Sequence, residues 1–220
     1  MDGPRFRVFD PADEVLIVER RLQHWAQPGT LCFITFRTFD SLPKPVVDAW
    51  LRERHQLLRR HGIDPLANDW RQQLARLSED IKDAVDRLLS QRWHENLDAC
   101  HGGCVLRKPP LAKIVADSLK KFDNDRYELT DFIVMPNHVH LLAAFPNAEM
   151  MLTQCESWKH FTAREINRSL GTRGRFWQQD GFDHLVRSAE QFDYFRNYIR
   201  DNPRKAKLNP GEYVHYCKEL

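Results

Sequence analysis

What most constrains this chain is the order in which its hydrophobic pattern changes period between residues 111 and 202. A helical spacing over about 111–122 gives way to a strand-like run, RYELTDFIVM (126–135), and the turn Pro136-Asn137 leads straight into a second, HVHLLAAF (138–145). A helix of about 150–170, a glycine-containing loop, a short strand FDHLVR (182–187) and a last helix over 189–202 follow. Upstream, LCFITFRTF (31–39) reads as a strand, because Cys32, Ile34 and Phe36 alternate with Phe33, Thr35 and Arg37 among β-favouring residues. The order β-α-β-β-α-β with a terminal helix predicts an α+β fold: a ferredoxin-like antiparallel sheet with helices on one face.

Residues 44–108 interrupt that order between the first strand and the first core helix. From Pro45 to about Leu97 the spacing is helical, with Val47, Trp50, Leu51, Leu57 and Leu58 in one stretch and Trp70, Leu74, Leu77, Ile81, Val85, Leu88 and Leu89 in the next. Residues 1–220 are therefore expected to form one domain carrying a helical insertion. With 42% hydrophobic residues, 13 Phe and 6 Trp, the composition excludes a disordered chain. No internal repeat is present.

No run of 18 apolar residues occurs, and the first residues set acids and arginines around their short apolar stretch VLIV, so neither a membrane span nor a signal peptide is expected. Five cysteines (Cys32, Cys100, Cys104, Cys155 and Cys217) are odd in number and scattered, as suits reduced thiols in a cytoplasmic protein. Cys100 and Cys104 beside His101 lack the second Cys/His pair of a zinc finger. The net charge is only +2, but it is unevenly spread. Residues 44–100 balance ten Lys/Arg against ten Asp/Glu, whereas residues 157–207 hold eleven against six. Phosphate contacts are therefore expected in the second half, although a solvated basic face would look the same.

His138 and His140 stand at i and i+2 of a strand, so both imidazoles leave one face and can meet one metal ion. With ten histidines in the chain such a pair can also arise by chance and sit in a core. On the last helix, Ser188 and Gln191 form a capping box and Pro203 is expected to end the helix at Asn202. Phe192, Phe195 and Ile199 make its buried stripe. Tyr198 lies at the edge of that stripe, and Asn202 lies one turn further beside it. Together they offer a nucleophile and a metal ligand. Read without that context, Tyr198 is a half-buried aromatic and Asn202 a helix C-cap.

The run Val134-Met135-Pro136-Asn137-His138-Val139-His140-Leu141-Leu142, followed by Tyr198-Ile199-Arg200-Asp201-Asn202-Pro203-Arg204-Lys205-Ala206, resembles the REP-associated tyrosine transposases of the single-tyrosine HUH superfamily. Ile34-Thr35-Phe36-Arg37-Thr38, Arg126-Tyr127-Glu128-Leu129, Ser157-Trp158-Lys159 and Phe176-Trp177-Gln178 extend the likeness over most of 31–40 and 104–208. The resemblance implies cleavage and rejoining of single-stranded DNA at hairpin-forming sequences, with His138 and His140 holding a divalent cation, usually Mg²⁺ or Mn²⁺. It further implies Tyr198 as the nucleophile that forms a 5′-phosphotyrosine, and Asn202 as the third ligand. Either a monomer or a homodimer fits the wider superfamily.

For DNA contact, Arg37, Lys159, Arg173, Arg175, Arg204 and Lys205 are the candidate cations, with Trp158 and Trp177 as stacking surfaces. Packing is the commoner fate of a tryptophan on an amphipathic helix, and cations are favoured after a helix end by the dipole alone. Two alternatives to strand transfer stand beside it. One is an inactive DNA-binding regulator that keeps the fold, and the other is a metal-dependent hydrolase in which water attacks.

Overall fold

The computed structural model describes residues 16–19, 23–26, 28–179 and 181–219. The opening segment read as lacking a signal sequence lies outside them through residue 15. Contacts divide the chain into two compact units, one built from the chain up to Ser41 and from Gly103 onward, the other Leu42–Gly102.

The first unit holds the sheet. A small antiparallel pair, β1 (Leu16–Glu19) and β2 (Gln23–Ala26), forms a two-stranded sheet of its own beside it. The main strands are β3 (Leu31–Arg37), β4 (Glu128–Val134), β5 (His138–Ala144), β6 (Phe182–Leu185) and β7 (Val214–Cys217). They lie in the order β6-β3-β5-β4-β7, and every neighbouring pair is antiparallel. The first four of these in space reproduce the ferredoxin-like order expected from the sequence, and β7 adds an edge strand that the sequence reading did not include. Close approach at the other edge requires Gly181, where a Cβ would come within 2.9 Å of the Thr35 carbonyl oxygen.

Strand parity sorts the side chains. Cys32, Ile34, Phe36, Val139, Leu141 and Ala143 face one way and pack against α4 (Pro109–Lys120) and α5 (Ala148–Leu170). Leu31, Phe33, Leu142 and Ala144 face the other way and pack against α6 (Ala189–Lys205). A bulge between Leu129 and Asp131 resets this parity in β4. Leu129 belongs with the α4/α5 face, Thr130 is the extra residue, and Asp131 stands opposite Leu142 on the face of α6.

Three expectations are corrected. The terminal helix does not stop at Asn202, because α6 continues through Pro203 to Lys205 and its C-cap is Ala206. Proline removes one backbone bond and crowds the preceding turn. Here Pro203 is buried, and its carbonyl accepts from Leu208 N–H at 2.9 Å, so packing carries the helix one turn further. Secondly, Trp158 and Trp177 are core residues and present no surface to a base. Trp158 is 1% exposed, edge-on to Tyr127 at 4.9 Å, in the buried α5 stripe of Met151, Gln154, Trp158, Thr162 and Ile166. Trp177 meets Phe36 edge-on and donates its indole N–H to Thr162 Oγ1 at 2.9 Å. Thirdly, the segment read as an insertion over 44–108 separates only to Gly102. A 3₁₀ turn over Val105–Arg107 buries Leu106 in the sheet's own core and ties it to the Pro136 carbonyl at 3.1 Å.

The second unit comprises α1 (Lys44–Arg60), α2 (Trp70–Ala75) and α3 (Glu79–Asp98) around buried Leu58, Ile63 and Val85. Arg54 lies between the rings of Trp50 and Trp70, 5.4 and 5.2 Å from their centroids, and burial with the nearby Arg71 charge lowers its pKa. Among the described residues no helix is long and apolar enough to cross a membrane.

Because Trp158 fills the core, Trp158→Ala should cost about 3–5 kcal/mol in urea unfolding. A loss under about 0.5 kcal/mol, in the range of surface substitutions, would restore it as a surface residue.

Candidate active site

His138 and His140 are fully buried on β5, on the face that α6 covers. Their ring centroids are 4.6 Å apart, and a ring nitrogen of each lies within 4.8 Å of the other. The register sets Arg37 opposite His138 and Thr35 opposite His140. Asn137 Oδ1 lies 2.8 Å from His138 Nδ1. An amide oxygen can only accept, so this contact makes His138 Nδ1 the donor and favours the tautomer whose lone pair is on Nε2. Thr35 Oγ1 lies 2.7 Å from His140 Nδ1 and can accept its proton in the same way. Both contacts hold imidazoles as ligand-bearing histidines are held, with the outer nitrogen engaged and Nε2 turned inward.

The helix α6 brings the second half. Ser188 caps it by accepting from Gln191 N–H at 3.1 Å, while the Gln191 side chain reaches back to Arg187 N–H at 2.7 Å, one residue earlier than the box expected from the sequence. Phe195 stacks on Phe33 at 4.3 Å and 8°, and Phe33 stacks in turn on His140 at 5.3 Å and 20°, which fixes the imidazole plane from below. Tyr198 meets His140 edge-on, and its hydroxyl lies 3.4 Å from His140 Nε2. Lys205 Nζ sits 4.8 Å from the centre of the Tyr198 ring. Asn202, one turn beyond Tyr198, is fully buried and lies inside the helix rather than at its cap.

The chain has five tyrosines. Tyr127 donates its hydroxyl to the Leu119 carbonyl, and burial pushes its pKa up to about 12. Tyr216 is on the edge strand β7, where burial also raises its pKa, and Tyr194 is 62% exposed. Tyr213 packs half-buried beside α6. Only the Tyr198 hydroxyl, among the described contacts, meets the histidine pair.

The cations predicted for DNA contact are spread more widely. Arg37 ends β3 beside His138; its guanidinium donates to Ser41 Oγ at 3.0 Å, and burial lowers its pKa. Arg175 covers the exposed Phe39 ring at 5.6 Å, close to where Gln178 N–H bonds the Arg37 carbonyl. Lys159 donates to the Gln179 carbonyl at 2.6 Å, Arg173 is exposed, and Arg204 lies 4.0 Å from Asp201 with most of its side chain in solvent. Thr35, Asn137 and Phe33, which orient the histidines, were not recognisable as site residues from the sequence. Each is an ordinary strand or turn residue until the pairing of β3 with β5 is known.

Residues 106–202, the segment that contains both histidines, Tyr198 and Asn202, match the family model "Transposase IS200 like". Over these residues the chain is similar to IS200-like transposases. That similarity supports a DNA-processing enzyme. No curated protein matches the sequence. Among solved structures, a REP-associated tyrosine transposase bound to a REP hairpin is similar over 92% of this chain and 95% of that one, at 13% identity and a TM-score of 0.43.

Proposed function

We propose that the protein cleaves and rejoins single-stranded DNA through a covalent bond to Tyr198, at hairpin-forming sequences of the REP type. The observation that carries this reading is the Tyr198 hydroxyl 3.4 Å from His140 Nε2, with His138 on the same strand face. The hairpin substrate follows from the resemblance of the histidine and tyrosine motifs to REP-associated tyrosine transposases. The helical segment expected over 44–108, which separates as Leu42–Gly102, is read as an insertion into one catalytic domain.

In the reaction, the Tyr198 oxygen forms a bond to the scissile phosphorus and the bond from phosphorus to the 3′ oxygen breaks. The phenol gives up its proton to solvent, and the 3′ oxygen leaves as a protonated hydroxyl. One phosphodiester replaces another, so attack by a DNA 3′-hydroxyl on the phosphotyrosine reverses the step without ATP. His138, His140 and Asn202 would hold a divalent cation such as Mg²⁺ or Mn²⁺, which polarises a phosphate and neutralises charge on its non-bridging oxygens. The donor set suits a divalent cation, Zn²⁺, Co²⁺ or Ni²⁺ as well as Mg²⁺ or Mn²⁺: two imidazole nitrogens oriented by outer hydrogen bonds, with a buried amide on the facing helix. The rigid α6 carries Tyr198 and Asn202 together, so placing the helix once delivers both. Arg37, Arg173, Arg175, Arg204, Lys159 and Lys205 supply sequence-independent phosphate contacts.

Tyr198→Phe keeps the ring beside Phe33 and should fold normally, but should yield no covalent adduct on a denaturing gel of end-labelled single-stranded hairpin with Mn²⁺. An adduct in that variant, or full cleavage by the native protein in EDTA, would refute the mechanism. Free cleavage products without an adduct would favour attack by water instead.

Asn202→Ala should raise the Mn²⁺ concentration needed for half-maximal cleavage, and Asn202→Gln should recover part of the loss. An unchanged half-saturation point in folded Asn202→Ala would remove Asn202 from the ligand set.

A further inference from the structure

We propose that the ion pair between Asp131 and Arg196 locks the roll of α6 about its own axis and so sets Tyr198 and Asn202 against the histidines. This rests on the assignment of Tyr198 as nucleophile and Asn202 as ligand. Asp131 and Arg196 are positioning residues in this account.

The contacts are specific. Arg196 Nε donates to Asp131 Oδ1 at 3.1 Å, and one terminal nitrogen donates to the Lys218 carbonyl at 3.1 Å and to Cys217 Sγ at 2.8 Å. Asp131 is 2% exposed, so this carboxylate is held away from water where a charge-assisted hydrogen bond is strong. It reaches α6 only because of the bulge at Thr130. In an unbroken alternation Asp131 would share the face of Leu129, beneath α4 and α5.

The position of Arg196 on the helix gives the pair its leverage. At about 100° per residue, Tyr198 and Arg196 flank opposite edges of the stripe formed by Phe192, Phe195 and Ile199. That stripe holds α6 on the sheet by apolar contact, which is non-directional and resists a small roll weakly. A guanidinium fork bound to acceptors on β4 and the end of β7 is directional and resists it. With side-chain tips about 6 Å from a helix axis, a roll of about 20° carries a hydroxyl roughly 2 Å. The contact to be preserved between Tyr198 and His140 is 3.4 Å. Asn202 moves in the same sense, so one slip disturbs nucleophile and ligand together.

Arg196→Gln and Arg196→Lys test this, read by single-turnover cleavage of a labelled hairpin, by hairpin affinity, and by Mn²⁺ affinity of the DNA-free protein from electron paramagnetic resonance. Arg196→Gln should cleave about 10²-fold more slowly and bind Mn²⁺ more weakly, with hairpin affinity little changed. Arg196→Lys, which keeps one charged donor for Asp131, should recover part of both losses and is the variant to use should Arg196→Gln fold poorly. A lower melting temperature with unaltered rate and Mn²⁺ affinity in the folded protein would reduce the pair to a stability element and overturn the proposal. Loss of hairpin affinity alone would overturn it too, as a DNA contact. Should the native protein form no adduct, the nucleophile assignment fails by itself. Mn²⁺ affinity then still decides the lock: weakened in Arg196→Gln it supports the lock, unaltered it refutes it.

Discussion

Pairing β3 with β5 in the register that sets Thr35 opposite His140 and Arg37 opposite His138 decides where the functional side chains can stand. Because strand side chains alternate with a period of two, a one-residue slip of β3 would turn Thr35 and Arg37 toward α4 and α5 and present Ile34 and Phe36 to the histidines. The apolar half of the same strand opposes such a slip, since Cys32, Ile34 and Phe36 are buried in the larger core. Packing on one face of the sheet thus fixes the chemistry on the other.

The two faces carry different loads. Under α4 and α5 the sheet is covered by aliphatic and aromatic side chains, with Trp177 held by Thr162 and Phe36 and Trp158 set edge-on to Tyr127. Under α6 the burial is mixed, and His138, His140, Asp131 and Asn202 lie within it. Burying polar groups costs free energy unless they are hydrogen-bonded. The contacts from Asn137, Thr35 and Arg196 offset that cost, and the Arg196 contact is the one we propose also fixes the roll of α6.

The sheet order was legible because its three central strands and the helices packed on them are long enough for their periods to stand out. So were His138 and His140 on one face and Tyr198 with Asn202 on one helix, since those relations depend only on local geometry. What the sequence hid is non-local. The strand β7 has four residues and is recognised by its pairing with β4, not by its pattern. The bulge at Thr130 shows only against the facing strand, and it alone reveals which side Asp131 takes. Pro203 reads as a helix stop until the packing that carries α6 past it is seen. Trp158 and Trp177 were ambiguous between core and surface because an indole suits either, and their burial follows from where α5 lies on the sheet.

The central claim is that one tyrosine, placed by α6 beside the histidine pair, becomes covalently joined to DNA. Trypsin separates the two tyrosines of this helix, because Arg187, Arg196 and Arg200 leave Tyr194 in the peptide Ser188–Arg196 and Tyr198 in Asn197–Arg200. Mass spectrometry of the nuclease-trimmed, tryptic digest of a trapped adduct therefore tests the claim most directly. The nucleotide remnant should be found on Asn197–Arg200; on Ser188–Arg196, or on any other peptide, it would contradict the account.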